Sequence, residues 1–336
     1  MTEQTKIPLP AQNDSLIERA VESFGWGQFA PRPVNLPVHL PVGLDAPRVA
    51  APPVVEAEHA AEPAEALTPR LPQPQVKAPP ARPAATPGAV HAIDREHLSG
   101  QGFIVPEASV TATLEEFRIV KRQLLLNAAE LRQREDAATP ASGRAQRVLI
   151  CSPHPGEGKT YCAVNLALAM AAEKDSEVLL VDADFAKPSV LSALGLPSGR
   201  GLMDALADPA IDVAELVLAT DVPGLMVLPA GEATNRDSEY LSSSRTAGVL
   251  DRLTQDAPHR IVIFDSPPAL AASPAAELAK YAGQAVIVCR ADQTGQQSLE
   301  DAISLLSGCP NIQLLLNGAN FSPSGRRFGA YYGDGA

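Results

Sequence analysis

The 336-residue sequence has few of the features that staple or anchor a chain. Its four cysteines, Cys151, Cys162, Cys289 and Cys309, show no C-x-x-C spacing and read as small buried hydrophobes of a reducing compartment. Positive charge is scarce: 27 Lys and Arg stand against 39 Asp and Glu, a formal net charge of -12. That balance disfavours sequence-independent binding of nucleic acid, which relies on basic side chains to neutralise phosphates. No apolar run approaches the roughly 20 residues of a membrane-spanning helix, and no signal peptide opens the chain. These absences predict a cytoplasmic protein that binds no nucleic acid.

Proline is plentiful but unevenly placed, with 17 of the 32 before residue 100. Mixed with Ala, Val, Glu and Gln, such a stretch buries too little apolar area to offset its ordering entropy, so residues 28–105 are expected to form a disordered Pro/Ala-rich linker. Ahead of it, residues 1–27 hold a short amphipathic segment. Asn13-Asp14-Ser15 precedes Leu16, Ile17, Ala20, Val21 and Phe24 on one helical face. It reads either as a docking peptide or as a transient helix without a role. A protein is the favoured partner over a membrane, because the segment lacks the Lys and Arg of interfacial helices.

The ordered part is expected over residues 106–322. A helix over 108–135 is predicted to open with a capping box, Thr113-x-x-Glu116, and to align Leu114, Phe117, Val120, Leu124 and Leu131. It packs on its own domain or contacts a second subunit. From residue 146 onward, apolar runs alternate with helical patterns. Strands are predicted near 146–151, 177–182, 224–229, 260–265, 284–289 and 312–317, with helices near 160–173, 239–256, 272–280 and 296–307. Shorter helical pieces are expected near 189–194 and 201–207. This is the pattern of an α/β fold with a mostly parallel sheet covered by helices on both faces. Residues 323–336 are glycine-rich and predicted to be a flexible tail.

The chemistry sits at strand ends. Residues 151–160 read Cys-Ser-Pro-His-Pro-Gly-Glu-Gly-Lys-Thr between an apolar strand and an apolar helix. In that context successive backbone N–H groups and a helix N-terminus converge on one point, which suits a polyanion. The strict pattern G-x-x-x-x-G-K-[ST] is not met, since Pro153 replaces its first glycine, but Pro155, Gly156, Glu157, Gly158, Lys159, Thr160 and Tyr161 are candidate nucleotide-binding residues. Lys159 would reach the β and γ phosphates and Thr160 would bind Mg²⁺. Two later runs end in carboxylates, at Asp182 with Asp184 and at Asp265. Open parallel sheets bind ligands beyond the carboxyl ends of their strands, so a phosphate loop and three carboxylates should share one edge. The implied ligand is a nucleotide triphosphate with Mg²⁺, in the P-loop NTPase class.

The set Ser152 to Thr160, Val181-Asp-Ala-Asp184 followed by Lys187-Pro188, and Ile263-Phe-Asp-Ser-Pro-Pro268 resembles the bacterial tyrosine autokinases that regulate exopolysaccharide synthesis. Within that family it looks most like the autokinases of exosortase-associated polysaccharide loci. The resemblance implies phosphate and magnesium binding by Lys159 and Thr160, a catalytic base at Asp182, and metal ligation by Asp184 and Asp265. It also implies that Asn317 reads adenine, although a simple turn Asn before Gly318 fits the sequence as well. Glu115, Arg118 and Lys121 resemble a Glu-x-x-Arg-x-x-Arg element through which family members form rings, with Lys121 in place of the last Arg. Tyr331 and Tyr332 stand where the family carries tyrosines phosphorylated by a neighbouring subunit.

The family often fuses this domain to a membrane-spanning polymerisation regulator. Here a separate membrane-embedded chain-length regulator is the expected partner, recruiting the protein to the inner membrane face. Two further readings stay open. One is a partitioning or positioning ATPase, disfavoured because His154 sits where its signature lysine would be. The other is a nucleotide-binding regulator without kinase activity, suggested by Ala186 where the family usually has Arg and by the short tyrosine tail.

Overall fold

The computed structural model describes residues 88–135, 143–173 and 176–319. The expected N-terminal segment, most of the linker, the 323–336 tail and both Tyr331 and Tyr332 lie outside the described residues. Within them an eight-stranded sheet runs in the order β1-β4-β5-β3-β6-β2-β7-β8. Its strands are β1 (Val90–His91), β2 (Arg147–Cys151), β3 (Glu177–Asp182), β4 (Leu218–Thr220), β5 (Leu225–Leu228), β6 (Arg260–Asp265), β7 (Gln284–Arg290) and β8 (Ile312–Asn317). The six from β5 to β8 in that order are mutually parallel, and β4 pairs antiparallel with β5.

The central strands carry almost no polar alternation because both of their faces are covered. Val148 and Ile150 of β2, Leu180 of β3, Ile263 of β6 and Val286 of β7 enter one core with helices α1 (Arg95–Gly100), α2 (Ala112–Glu135), α3 (Lys159–Ala171) and α4 (Val190–Leu194). Their alternate neighbours Leu149, Val181, Phe264 and Ile287 enter the other. That side holds α5 (Leu202–Ala207), α6 (Asp237–Leu241), α7 (Arg245–Arg252), α8 (Pro274–Ala279) and α9 (Gln296–Leu305). The strand period of two thus sends apolar side chains to both layers.

Three expectations need correction. Residues 88–105 are not linker: Asp94 caps α1 by accepting from the His97 N–H at 2.9 Å, and Ile93, Leu98 and Ile104 are buried in the core. The proline-rich composition ends at Pro87, and of the few apolar residues beyond it Ile93, Leu98 and Ile104 enter the core while Val90 stays exposed. Helix α2 starts at Ala112, and its cap is Thr111, whose hydroxyl accepts from the Leu114 N–H at 3.2 Å; the Thr113 box does not form. The single helix expected over 239–256 is two. Ser242 and Ser243 divide it, as the Ser242 hydroxyl donates to Glu239 O at 3.1 Å and the Thr246 hydroxyl to Tyr240 O at 2.9 Å. Such side chains offer the backbone an alternative to the helical ladder.

Candidate active site

Strand register places the site. In β3 and β6 Asp182 lies directly opposite Asp265, and Ile150 of β2 pairs with Asp265 on its other side. Three neighbouring strands therefore end at one level, and the chain leaving β2 forms the phosphate loop before α3 begins at Lys159. Gly158 takes the left-handed conformation, φ +98°, needed to turn the loop into the helix.

The loop and the carboxylates meet. Thr160 Oγ1 donates to Asp265 Oδ2 at 2.6 Å and lies 2.9 Å from Ser189 Oγ. Asp182 Oδ2 accepts from the N–H groups of Ser189 and Val190 at 2.9 and 3.0 Å, and its Oδ1 from Asp184 N–H at 3.2 Å. Asp184 Oδ1 accepts from Lys187 N–H at 3.2 Å. Lys159 is buried beside them. Asp182 and Asp265 are fully buried, while Asp184 is 9 % exposed.

Burial drives the protonation chemistry. It pushes the Asp265 carboxyl up to about 8, with Asp182 adding to the rise and the Thr160 hydrogen bond and Lys159 opposing it. Burial also lifts Asp182 to about 6, against the three backbone N–H groups that favour its charged form. Asp265 Oδ1 is buried and, among the described residues, has no hydrogen-bond partner. An orphaned carboxylate oxygen next to a threonine hydroxyl is a donor set suited to a hard cation. Among the described residues no cluster of three or more His, Cys, Asp or Glu side chains could hold a metal unaided. Mg²⁺ at phosphate sites needs no such cage, since it keeps waters and substrate phosphates as ligands.

Other predicted residues are placed differently. Tyr161 turns away from the loop: its hydroxyl donates to Gly102 O at 2.9 Å, and its ring lies 5.2 Å from that of Phe103 and 6.4 Å from that of Phe117. Its side chain braces the 88–105 segment. Lys121 is separated from Glu115 and Arg118. Those two pair with each other, whereas Lys121 is buried, donating to Ala169 O at 3.0 Å and pairing with Glu173 at 2.8 Å. It caps the end of α3 rather than a subunit surface. Asn317 Nδ2 donates to Glu157 O at 2.9 Å, so it touches the loop itself. A cleft of about 410 Å³ opens beside it, lined by Phe117, Val120, Tyr161 and Leu315 among others. A cavity of about 520 Å³ lies near Gln146 and Asp251, at the amino ends of the strands and away from this chemistry.

Sequence reasoning passed over Ser189, Arg290, Thr294 and Ser298. The strand-end rule that found Asp182 and Asp265 applies equally to β7, whose carboxyl end leads directly to Thr294.

No family model matches the chain. It is 34 % identical over 190 residues to the tyrosine-protein kinase YwqD of Bacillus subtilis, covering 55 % of this chain and 77 % of YwqD. The chain belongs to the bacterial tyrosine-protein kinases. Another such kinase, ptk of Acinetobacter johnsonii, is 30 % identical over 160 residues, 48 % of this chain and 21 % of ptk, so the chain matches about a fifth of that relative's length. The chimerical protein CapA2B2, with a TM-score of 0.51 and 24 % identity over 68 % of this chain and 93 % of that one, shares the fold. Among the described residues of this kinase, no helix is long and apolar enough to cross a membrane.

Proposed function

We propose that the chain is an ATP- and Mg²⁺-dependent protein-tyrosine autokinase that phosphorylates Tyr331 and Tyr332 of a neighbouring copy and regulates exopolysaccharide synthesis or export. The observation that carries this reading is the junction of Thr160 with Asp265, whose second oxygen has no partner among the described residues, at the coincident ends of β2, β3 and β6. In this reading Lys159 neutralises the β and γ phosphates, and Thr160, Asp184 and Asp265 hold the metal. Bound Mg²⁺ supplies charge neutralisation at the phosphate oxygens. The tyrosine oxygen attacks the γ phosphorus, the bond to the bridging oxygen of ADP breaks, and Asp182 takes the phenolic proton. A carboxyl near 6 exchanges protons close to neutral pH, which supports giving Asp182 that task. Glu115 and Arg118 are the proposed contact between copies. A membrane-embedded chain-length regulator is the proposed partner at the inner membrane face.

The test incubates the full chain with ATP and Mg²⁺ and blots for phosphotyrosine. Lys159→Met and Asp182→Asn should abolish the signal, and Tyr331→Phe with Tyr332→Phe should remove most of it while ATP binding survives. ATP turnover without phosphotyrosine would replace this reading with a positioning ATPase. Tight ATP binding with neither activity would replace it with a nucleotide-sensing regulator.

A further inference from the structure

The phosphate loop has glycine at Gly156 and Gly158, both left-handed, and Pro153 where the strict pattern has a third. Two of its carbonyls are held by side chains from the last two strands. Arg290 Nη1, at the end of β7, donates to Gly156 O at 3.0 Å, and Asn317 Nδ2, at the end of β8, donates to Glu157 O at 2.9 Å. No peptide bond among the described residues is cis. In a trans peptide the C=O and the next N–H point in opposite directions. Anchoring Gly156 O therefore turns the Glu157 N–H away from Arg290, and anchoring Glu157 O turns the Gly158 N–H away from Asn317. Among the described residues neither amide donates to a protein acceptor.

The Glu157 side chain, itself buried, ties the brace together. Its Oε2 accepts from the His154 N–H at 2.7 Å and its Oε1 from the Thr294 hydroxyl, and Thr294 Oγ1 accepts from the Arg290 N–H at 2.8 Å. His154 Nε2 lies 2.9 Å from Ser298 Oγ. Gly158 is bare where the brace crosses it: a Cβ there would stand 2.1 Å from Asn317 Nδ2.

We propose that Asn317 and Arg290 are positioning residues of the phosphate loop, aiming the Gly158 and Glu157 amides at the polyphosphate, so that Asn317 sets nucleotide affinity through the phosphates and not by reading the base. The inference rests on the nucleotide site described above. It differs from base reading in a measurable way. A base reader separates ATP from GTP and is indifferent to a ligand with no base, whereas a peptide-plane anchor acts alike on every ligand carrying the same phosphates.

The experiment measures Mg²⁺-dependent affinity of the full chain for ATP, GTP and inorganic triphosphate, in wild type, Asn317→Ala, Arg290→Ala and Arg290→Lys. Each alanine variant should weaken all three ligands by a common factor of about ten, the scale of one misaligned donor to a charged acceptor. The ratio of ATP to GTP affinity should stay at its wild-type value, and Arg290→Lys, which keeps a donor, should recover part of the loss. If Asn317→Ala melts below the wild type, the exposed Arg290 variants decide the matter. Unchanged triphosphate affinity in both alanine variants overturns the proposal, and a loss confined to ATP in Asn317→Ala assigns that residue to the base instead. A wild type that binds none of the three ligands removes the nucleotide site itself, a failure distinct from that of the brace.

Discussion

Replacing Asp265 by Asn should stabilise the ligand-free protein while destroying its activity, and the gain should depend on pH. The Asp265 carboxyl is raised from 3.8 to about 8 in the folded state. Below pH 4 folded and unfolded chains are both protonated there and the residue carries no penalty. As pH rises from 4 towards 8 the unfolded chain ionises first, so wild-type stability falls across that window. Asparagine does not titrate and keeps an oxygen to accept the Thr160 hydrogen bond. At about 1.4 kcal/mol per pH unit, the advantage of Asp265→Asn should grow by about 4 kcal/mol at most between pH 5 and pH 8. For a domain of this size that corresponds to about 10 °C in melting temperature. Thermal melts of both proteins without nucleotide or metal, in matched buffers at pH 5 and pH 8, measure it directly. An advantage of the same size at both pH values would refute the reasoning, because it would mean the carboxylate is not held neutral by burial. The same variant should lose phosphotyrosine formation, opposing stability to function at one side chain.

Three other outcomes follow from the packing. Lys121→Ala should lower stability by about 2 kcal/mol, because it removes a buried ammonium that caps α3, whereas Arg118→Ala should shift the melt by less than about 0.5 kcal/mol. Chemical denaturation of the two variants checks this. A chain starting at residue 106 should melt well below one starting at residue 88, since it loses Ile93, Leu98 and Ile104, each worth roughly 1.5–3 kcal/mol of burial; calorimetry of the two truncations compares them. All four cysteines are buried, and burial pushes the Cys151 and Cys162 thiols up to about 12. A thiol reagent at pH 8 should label none in the native protein and four after denaturation.

The sheet was legible in the sequence wherever a strand is an unbroken apolar run, as in Glu177–Asp182 and Arg260–Asp265, because burial on both faces leaves a local signal. Strands β1 and β4 have two and three residues and exist only through pairing with distant chain, so no local pattern announces them. The meeting of Thr160 with Asp265 was readable from strand ends and the phosphate loop. Side-chain direction was not. Tyr161 adjoins Thr160 in sequence, but consecutive helical residues point about 100° apart, which sends its ring to Phe103. Residues six apart on a helix diverge by about 120°, so the spacing that joins Glu115 to Arg118 carries Lys121 round to the core.

The register that sets Asp182 beside Asp265 has a thermodynamic corollary for how the site is loaded. Adjacent strands hold two acids a few ångströms apart whether or not a cation is there, and in its absence hydrogen ions take over the neutralising role. With the metal bound as proposed, filling the site would be an exchange, in which a divalent ion enters and acid is released to the surrounding solution. The calorimetric heat of nucleotide loading should then vary with the ionisation enthalpy of the buffer, and apparent affinity should climb with alkalinity up to about pH 8.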